Sequence, residues 1–238
     1  MMNKLYLLVF VGIFFSSIAG FAQDFTNAKE LLEEVSKNYN KKASLSLFTN
    51  VTMFKNYNDK KPKEVYEGVI VKTPNGIYFK VKGMELLSFN DCSLKISNEE
   101  KMALYSEGKM ESDMLPTDVS LKVFLKDFKC NLKTTPTQYI CEFSPKNITQ
   151  IMLSKVIFYI NKSDLLITKQ ITYLTQTIDE SDRKKPIKVV PRIETTYKKR
   201  VSNNAVDQNL TNKKNYIIKN GNNVILSKKY SNFQLIKS

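Results

Sequence analysis

The 238-residue chain carries 37 lysines and arginines against 23 acidic residues, a net charge of +14, and has no histidine. The missing histidine excludes the Ser-His-Asp triad, the Cys-His dyad and imidazole-bound zinc, and three scattered cysteines do not make a structural zinc site. The basic balance does not imply nucleic acid. Only Arg183, Arg192 and Arg200 are arginines and the lysines are spread along the chain, whereas nucleic-acid surfaces cluster arginine with stacking aromatics; a solvated lysine surface is expected, able to make peripheral contact with anionic membranes.

Lys4, an apolar run over residues 5–18, and the small residues Gly20 and Ala22 ahead of Gln23 read as a secretory signal peptide, residues 1–22. The run is shorter than the roughly 20 residues of a membrane-spanning helix, and no cysteine stands near the cleavage point for lipid attachment. Residues 23–238 are therefore expected to form one domain that is periplasmic or secreted. It opens with a helix, because Phe25, Ala28, Leu31, Leu32, Val35 and Tyr39 recur at three- and four-residue spacing. Thr26 or Asp24 can cap it, with Glu30 in its first turn. From Ala43 the period becomes two: Leu45, Leu47, Thr49, Val51 and Met53 predict a long strand. Further strands are expected over residues 64–72, 77–82, 85–89, 93–97 and 101–106. Turn signals at Thr73-Pro74-Asn75-Gly76, Lys82-Gly83, Asn90-Asp91 and Asn98-Glu99 separate them into an antiparallel meander.

Pro116-Thr117-Asp118 opens a second expected helix, running to about Lys126. Residues 127–133 and 138–143 flank the turn Thr134-Thr135-Pro136-Thr137 as a hairpin. Symmetric folding sets Lys133 opposite Gln138 and Cys130 opposite Cys141, a disulfide candidate in an exported protein. Cys92 is left over as a buried small hydrophobe. Ser144-Pro145 can begin a shorter helix bearing Ile148, Ile151 and Met152. Residues 155–161 and 165–177 form a hairpin around Lys162-Ser163-Asp164, and residues 179–185 a charged loop. Strands are expected over residues 187–197 and 215–219, with a final one at 224–226 or 233–236, and the Asn-rich segment 202–214 reads as mobile. Glycine-rich phosphate loops and nucleophile elbows are missing. The carboxylate pairs Glu99-Glu100, Glu107 with Glu111, and Asp179-Glu180 sit beside turns and lysines as solvated surface. No enzyme and no cofactor are expected.

Several segments, in order, carry a resemblance: Leu47-Phe48-Thr49 after the first helix, Gly68-Val69-Ile70-Val71-Lys72-Thr73-Pro74-Asn75, the turn Asn90-Asp91, and Val156-Ile157-Phe158-Tyr159-Ile160-Asn161-Lys162-Ser163-Asp164. With them the chain resembles the periplasmic outer-membrane lipoprotein carrier family (LolA-like) over about residues 24–177. The resemblance implies a mainly β (α+β) fold, an incomplete, strongly curved antiparallel β-barrel covered by the N-terminal helix and one or two short helices. Between them would lie an apolar cavity for lipoprotein acyl chains. The chain departs from the family at Thr73, where an arginine tied to helix closure and release is usual, and at Asp91-Cys92, where the family has Asp-Gly. From about residue 178 it has no clear counterpart, so a divergent member is expected. Val69, Val71, Phe79, Val81, Phe89 and Met102 are candidates to line the cavity, with Met110 joining Met102 as adaptable surface. The expected function is non-catalytic binding or carriage of lipid acyl chains or lipoproteins. The alternative is a cell-envelope interaction module that holds a protein partner through strand edges or lysines, without a lipid ligand.

Overall fold

The computed structural model describes residues 25–108, 125–147, 152–175, 178–179, 188–200, 204–221 and 223–237. Helix α1 (Ala28–Lys41) forms where the apolar stripe predicts it, and buries Leu31, Leu32, Val35 and Tyr39. Its cap is Asn27, not Thr26 or Asp24: the Asn27 carboxamide oxygen accepts the Lys29 amide at 2.8 Å. A 14-residue helix is marginal alone in water, so burial of this stripe, at roughly 1.5–3 kcal/mol for each large side chain, holds it.

The sheet beneath it has twelve strands: β1 (Leu45–Phe54), β2 (Glu64–Thr73), β3 (Gly76–Val81), β4 (Met84–Ser88), β5 (Cys92–Ser97), β6 (Met102–Glu107), β7 (Phe128–Thr134), β8 (Gln138–Pro145), β9 (Leu153–Asn161), β10 (Ile167–Leu174), β13 (Arg192–Lys199) and β16 (Gln234–Lys237). Two short hairpins lie outside it, β11 (Ile178–Asp179) with β12 (Lys188–Val189), and β14 (Ile217–Asn220) with β15 (Asn223–Leu226). The order is β16-β6-β5-β4-β3-β2-β1-β13-β10-β9-β8-β7, so β13 returns from late in the chain to bridge the two meanders. Every neighbouring pair is antiparallel except β16 with β6. The sheet is large, curved and mainly antiparallel, but β16 and β7 do not pair. It is an open sheet, and the expected barrel is corrected to that extent.

Side chains alternate across each strand, and two hydrophobic cores form on opposite faces. Leu45, Leu47, Ile70, Ile77, Tyr139, Cys141, Phe143, Val156, Phe158 and Ile160 pack with α1 on what we term the helix face. Val71, Tyr78, Leu87, Leu94, Ile96, Ala103 and Tyr105 lie on the other, tail face, under Tyr216, Ile217, Val224 and Tyr230 of the C-terminal segment. That segment comprises helix α2 (Asn204–Leu210), the hairpin β14–β15, 3-10 turns at Lys213–Asn215 and Lys228–Tyr230, and β16. Strands β2 and β3 serve both cores, which explains why Val69-Ile70-Val71 is a continuous apolar run.

Several expectations change. The β7–β8 register pairs Cys130 with Phe143 and Leu132 with Cys141, two residues away from the predicted one. Symmetric folding about Thr134–Thr137 would put Pro136 at the third turn position. The observed turn is Thr135–Gln138, closed by the Thr135 amide on the Gln138 carbonyl at 2.9 Å, which moves Pro136 to the second position that its fixed φ favours. Ser144 and Pro145 finish β8 instead of starting a helix, since proline is tolerated at a strand end. Ile148 and Ile151 lie outside the described residues, as do the signal peptide, Met110 and all but the end of the helix expected over 116–126. The expected strand 187–197 is two, β12 and β13, divided around Pro191. Both alternatives for the last strand form, as β15 and β16. The segment read as mobile includes α2, with Asp207 and Thr211 buried, because Thr211 Oγ1 meets Thr73 Oγ1 at 2.7 Å and Arg200 pairs with Asp207.

Gly68 lies on the helix face at a close approach of β1, β2 and β3. A Cβ there would stand 2.5 Å from both the Lys80 carbonyl oxygen and Thr49 Oγ1. Gly68→Ala is expected to lower stability by about 1–3 kcal/mol through overpacking, measured by urea denaturation; an unchanged midpoint would show that β2 and β3 can separate freely.

Candidate functional site

Helix α1 does not reach across the whole helix face. Strand pairing sets Phe79 opposite Leu86, Leu86 opposite Lys95, Lys95 opposite Leu104, and Leu104 opposite Ile236. A parallel row runs Val81, Met84, Ser97, Met102 and Gln234. Phe79 still packs against the core beneath α1. Beyond it, Leu86, Val81, Met84 and Met102 are half-buried, while Leu104 and Ile236 are each 37% exposed. The result is an apolar strip carried by β3, β4, β6 and β16, continuous with the first core at Phe79 and crossed at β5 by Ser97 and the exposed Lys95. Isolated exposed apolar residues are ordinary, whereas apolar side chains grouped on one sheet face make a candidate binding surface.

The six cavity candidates divide between the faces. Val69 pairs with Lys80 and Val71 with Tyr78, so both valines lie on the tail face. Val71 and Phe89 belong to the second core, with Val69 packed against it, and Phe89 also lines a cleft beside the β2–β3 turn. Phe79, Val81 and Met102 lie on the helix face and join the strip. Alternation within each strand was readable, but the pairing offset between β2 and β3 reverses the face, and that offset decides the assignment. Sequence reasoning missed Met84, Leu86, Leu104 and Ile236. A usable signal was present: Lys82 and Gly83, both at positive φ, form a two-residue hairpin turn that sets Val81 opposite Met84 and Phe79 opposite Leu86.

Cys130 and Cys141 share the helix face as diagonal neighbours, with both thiols free. The shifted register removes the directly opposed placement on which the expected disulfide rested. The two thiols are hydrogen-bonded, which lowers Cys130 and raises Cys141 from the ordinary thiol range. Cys92 is buried, as expected, and its thiol is pushed up to about 11, mainly by burial and further by the Asp91 charge.

The tail face holds the most concentrated polar chemistry. Glu85 is 4% exposed. Its carboxyl oxygens accept from Tyr78 Oη at 3.1 Å, from Tyr230 Oη at 3.1 and 3.2 Å, and from Asn98 Nδ2 at 3.1 Å. Lys229 Nζ donates to Tyr230 Oη at 2.7 Å, completing a relay from an exposed ammonium to a buried carboxyl. Tyr216 stacks on Tyr230 with ring centroids 5.8 Å apart. A buried carboxyl left unpartnered is costly, so this cluster fixes the C-terminal segment to β3–β5. Nearby, a cleft of about 750 Å³ opens between the β2–β3 turn and the segment around Thr211, with the Asp91–Lys213 ion pair at its wall. Asn75, Asn90, Gln208, Asn209 and Asn212 line it together with Pro74 and Phe89.

Burial raises the Tyr78 and Tyr230 hydroxyls above the ordinary phenol range, and the adjacent Glu85 raises them further. Between the ordinary value near 10 and these raised values, the unfolded chain releases protons that the folded chain keeps. Stability is therefore complete below about pH 10 and falls as pH rises beyond it. The double variant Tyr78→Phe/Tyr230→Phe is expected to be about 1–3 kcal/mol less stable at neutral pH, since it strips donors from a buried carboxyl. It should also lose stability less steeply above pH 10 in urea titrations. An alkaline slope equal to that of the parent would assign the effect to other groups.

In sequence the chain matches no protein-family model and no curated protein. Among solved structures it is similar to an uncharacterised conserved protein from Thermus thermophilus, at 11% identity over 89% of this chain and 99% of that one, with a TM-score of 0.44. A DUF1329 family protein from Desulfovibrio piger aligns at 10% identity over 71% and 89%, with a TM-score of 0.35. A LolA superfamily protein from Nitrosomonas europaea aligns at 9% identity over 76% and 97%, with a TM-score of 0.32.

Proposed function

We propose that this chain is an exported, non-catalytic binding or carrier protein for lipid or lipidated protein, and that the acyl chain lies along the part of the helix face that no described element covers. The observation that carries this reading is the strip formed by Phe79, Val81, Met84, Leu86, Met102, Leu104 and Ile236. It begins where the α1-covered core ends and runs on to the sheet edge. An extended hydrocarbon suits a surface that is long, narrow and apolar, and each methylene removed from water contributes roughly 0.8 kcal/mol. Met84 and Met102 supply side chains that adapt to chains of different shape. Lys95, exposed within the strip, suits an anionic head group while its own methylenes lie along the apolar surface. No covalent step is required of any residue.

Native mass spectrometry of the protein purified from the envelope tests the reading. Bound lipid is the expected result, and Leu86→Asp/Leu104→Asp is expected to reduce the bound fraction by about tenfold or more. Leu104 is exposed while Leu86 is half-buried, so Leu104→Asp alone, at the more open position, separates lost binding from lost stability. A protein that is empty and takes up no lipid would contradict the carrier reading, and a defined protein partner recovered in its place would favour an interaction module.

A further inference from the structure

The hairpin β14–β15 has two dissimilar sides. Ile217 pairs with Leu226 and Lys219 with Val224; Ile217 and Val224 are buried in the second core, and Leu226 packs against it. The two-residue period sends the intervening pair, Ile218 and Ile225, to the opposite side. They are direct cross-strand partners, and each is 51% exposed. Adjacent isoleucines on paired strands are the arrangement of a buried sheet face, presented here to solvent.

The segment that carries them is basic. Residues 204–237 hold six lysines and one carboxylate, Asp207, and Asp207 is already paired with Arg200. Lys213 is engaged by Asp91, and Lys229 lies over the Tyr216 and Tyr230 rings. Lys214 and Lys228 stand on either side of the hairpin's base, where Ser227 Oγ donates to the Asn215 carbonyl at 2.6 Å. Lys214 and Lys228 are exposed, as is Lys219, which its pairing with Val224 puts on the other side of the hairpin from the isoleucines.

We propose that the β14–β15 hairpin docks on an anionic membrane surface, with Ile218 and Ile225 entering the interface and Lys214 and Lys228 at the hairpin's base meeting the phosphate head groups. The size of the patch favours a bilayer over a protein. Two isoleucines fall far short of the roughly 800 Å² that each partner buries in a stable protein interface, whereas a small apolar wedge with adjacent lysines is sufficient for reversible binding to anionic lipid. The C-terminal segment can carry such a wedge because Tyr216 and Tyr230 hold it firmly on the tail face. The inference stands whether or not the helix-face strip holds a ligand.

Co-sedimentation of the full chain with phosphatidylcholine vesicles, with and without phosphatidylglycerol, tests it by comparison with variants. Binding is expected with phosphatidylglycerol and to fall as salt is raised. I218N/I225N should weaken it by about tenfold or more, and K214Q/K228Q should abolish the preference for anionic lipid. The isoleucines face outward, so the urea midpoint of I218N/I225N should match the parent. The chain has no tryptophan, and I218W therefore supplies a single reporter whose emission should shift to the blue on phosphatidylglycerol vesicles. Undiminished binding by a folded I218N/I225N, equal binding to both vesicle types, or an unshifted I218W emission would each overturn the proposal.

Discussion

Strand alternation commits every apolar side chain of the large sheet to one of two faces, and this sheet has apolar residues on both. Neither face can be left open along its whole length, because exposed hydrophobic area at that scale drives association. Among the described residues, two separate covers answer this. Helix α1, from one end of the sequence, lies over β1–β3 and β7–β10; the C-terminal segment lies over β2–β6 on the other side. The two covers overlap only at β2 and β3, where Ile70 faces one and Val71 the other. On either side of that overlap one face of the sheet has less protection, and on the β4–β6 side the less protected face is the apolar strip.

Each cover is positioned by polar contacts that do not extend into the strip. Asn38 Nδ2 donates to the Asp164 carbonyl at 2.7 Å, the Ile167 amide donates to Tyr39 Oη at 3.1 Å, and Lys72 Nζ donates to the Tyr39 carbonyl at 2.7 Å. These bonds tie α1 to the β9–β10 turn and to β2, away from β5 and β6. The Glu85 cluster does the same on the tail face, closing over Tyr230 so that Phe233 and Leu235 follow onto the second core. Strand β16 is thereby delivered to the free edge of β6, where it shields the backbone of an edge strand and adds Ile236 to the strip. The element that completes one core also extends the candidate binding surface on the other face.

Much of this was legible in the sequence. The stripe of α1, the period-two runs and the turn signals at Lys82-Gly83 and Lys162-Ser163-Asp164 gave elements that the structure reproduces, because each depends on neighbours close along the chain. Face assignment was harder. Val69, Val71, Phe79 and Val81 all alternate correctly within their own strands, yet the β2–β3 offset puts the first two on the tail face and the last two on the helix face. The β7–β8 hairpin was placed two residues off, since the preference of Pro136 for the second turn position outweighed symmetry about the tetrapeptide. The C-terminal cover was least legible of all. Asp207, Thr211 and Tyr230 are ordinary residues in an Asn- and Lys-rich segment, and their partners Arg200, Thr73 and Glu85 lie as much as 145 residues away. Contacts of that span leave no periodic signature.

The central claim is that the helix face beyond α1 is a hydrocarbon-binding surface, and its most direct test is photo-crosslinking. A fatty acid carrying a photoreactive group at the end of its chain would be bound to the purified protein, activated, and located by peptide mass mapping. The expected result is label on the strands that carry Leu86, Met102 and Leu104, reduced by competing unlabelled lipid. Label confined to the tail face, or uptake that competing lipid does not reduce, would contradict it.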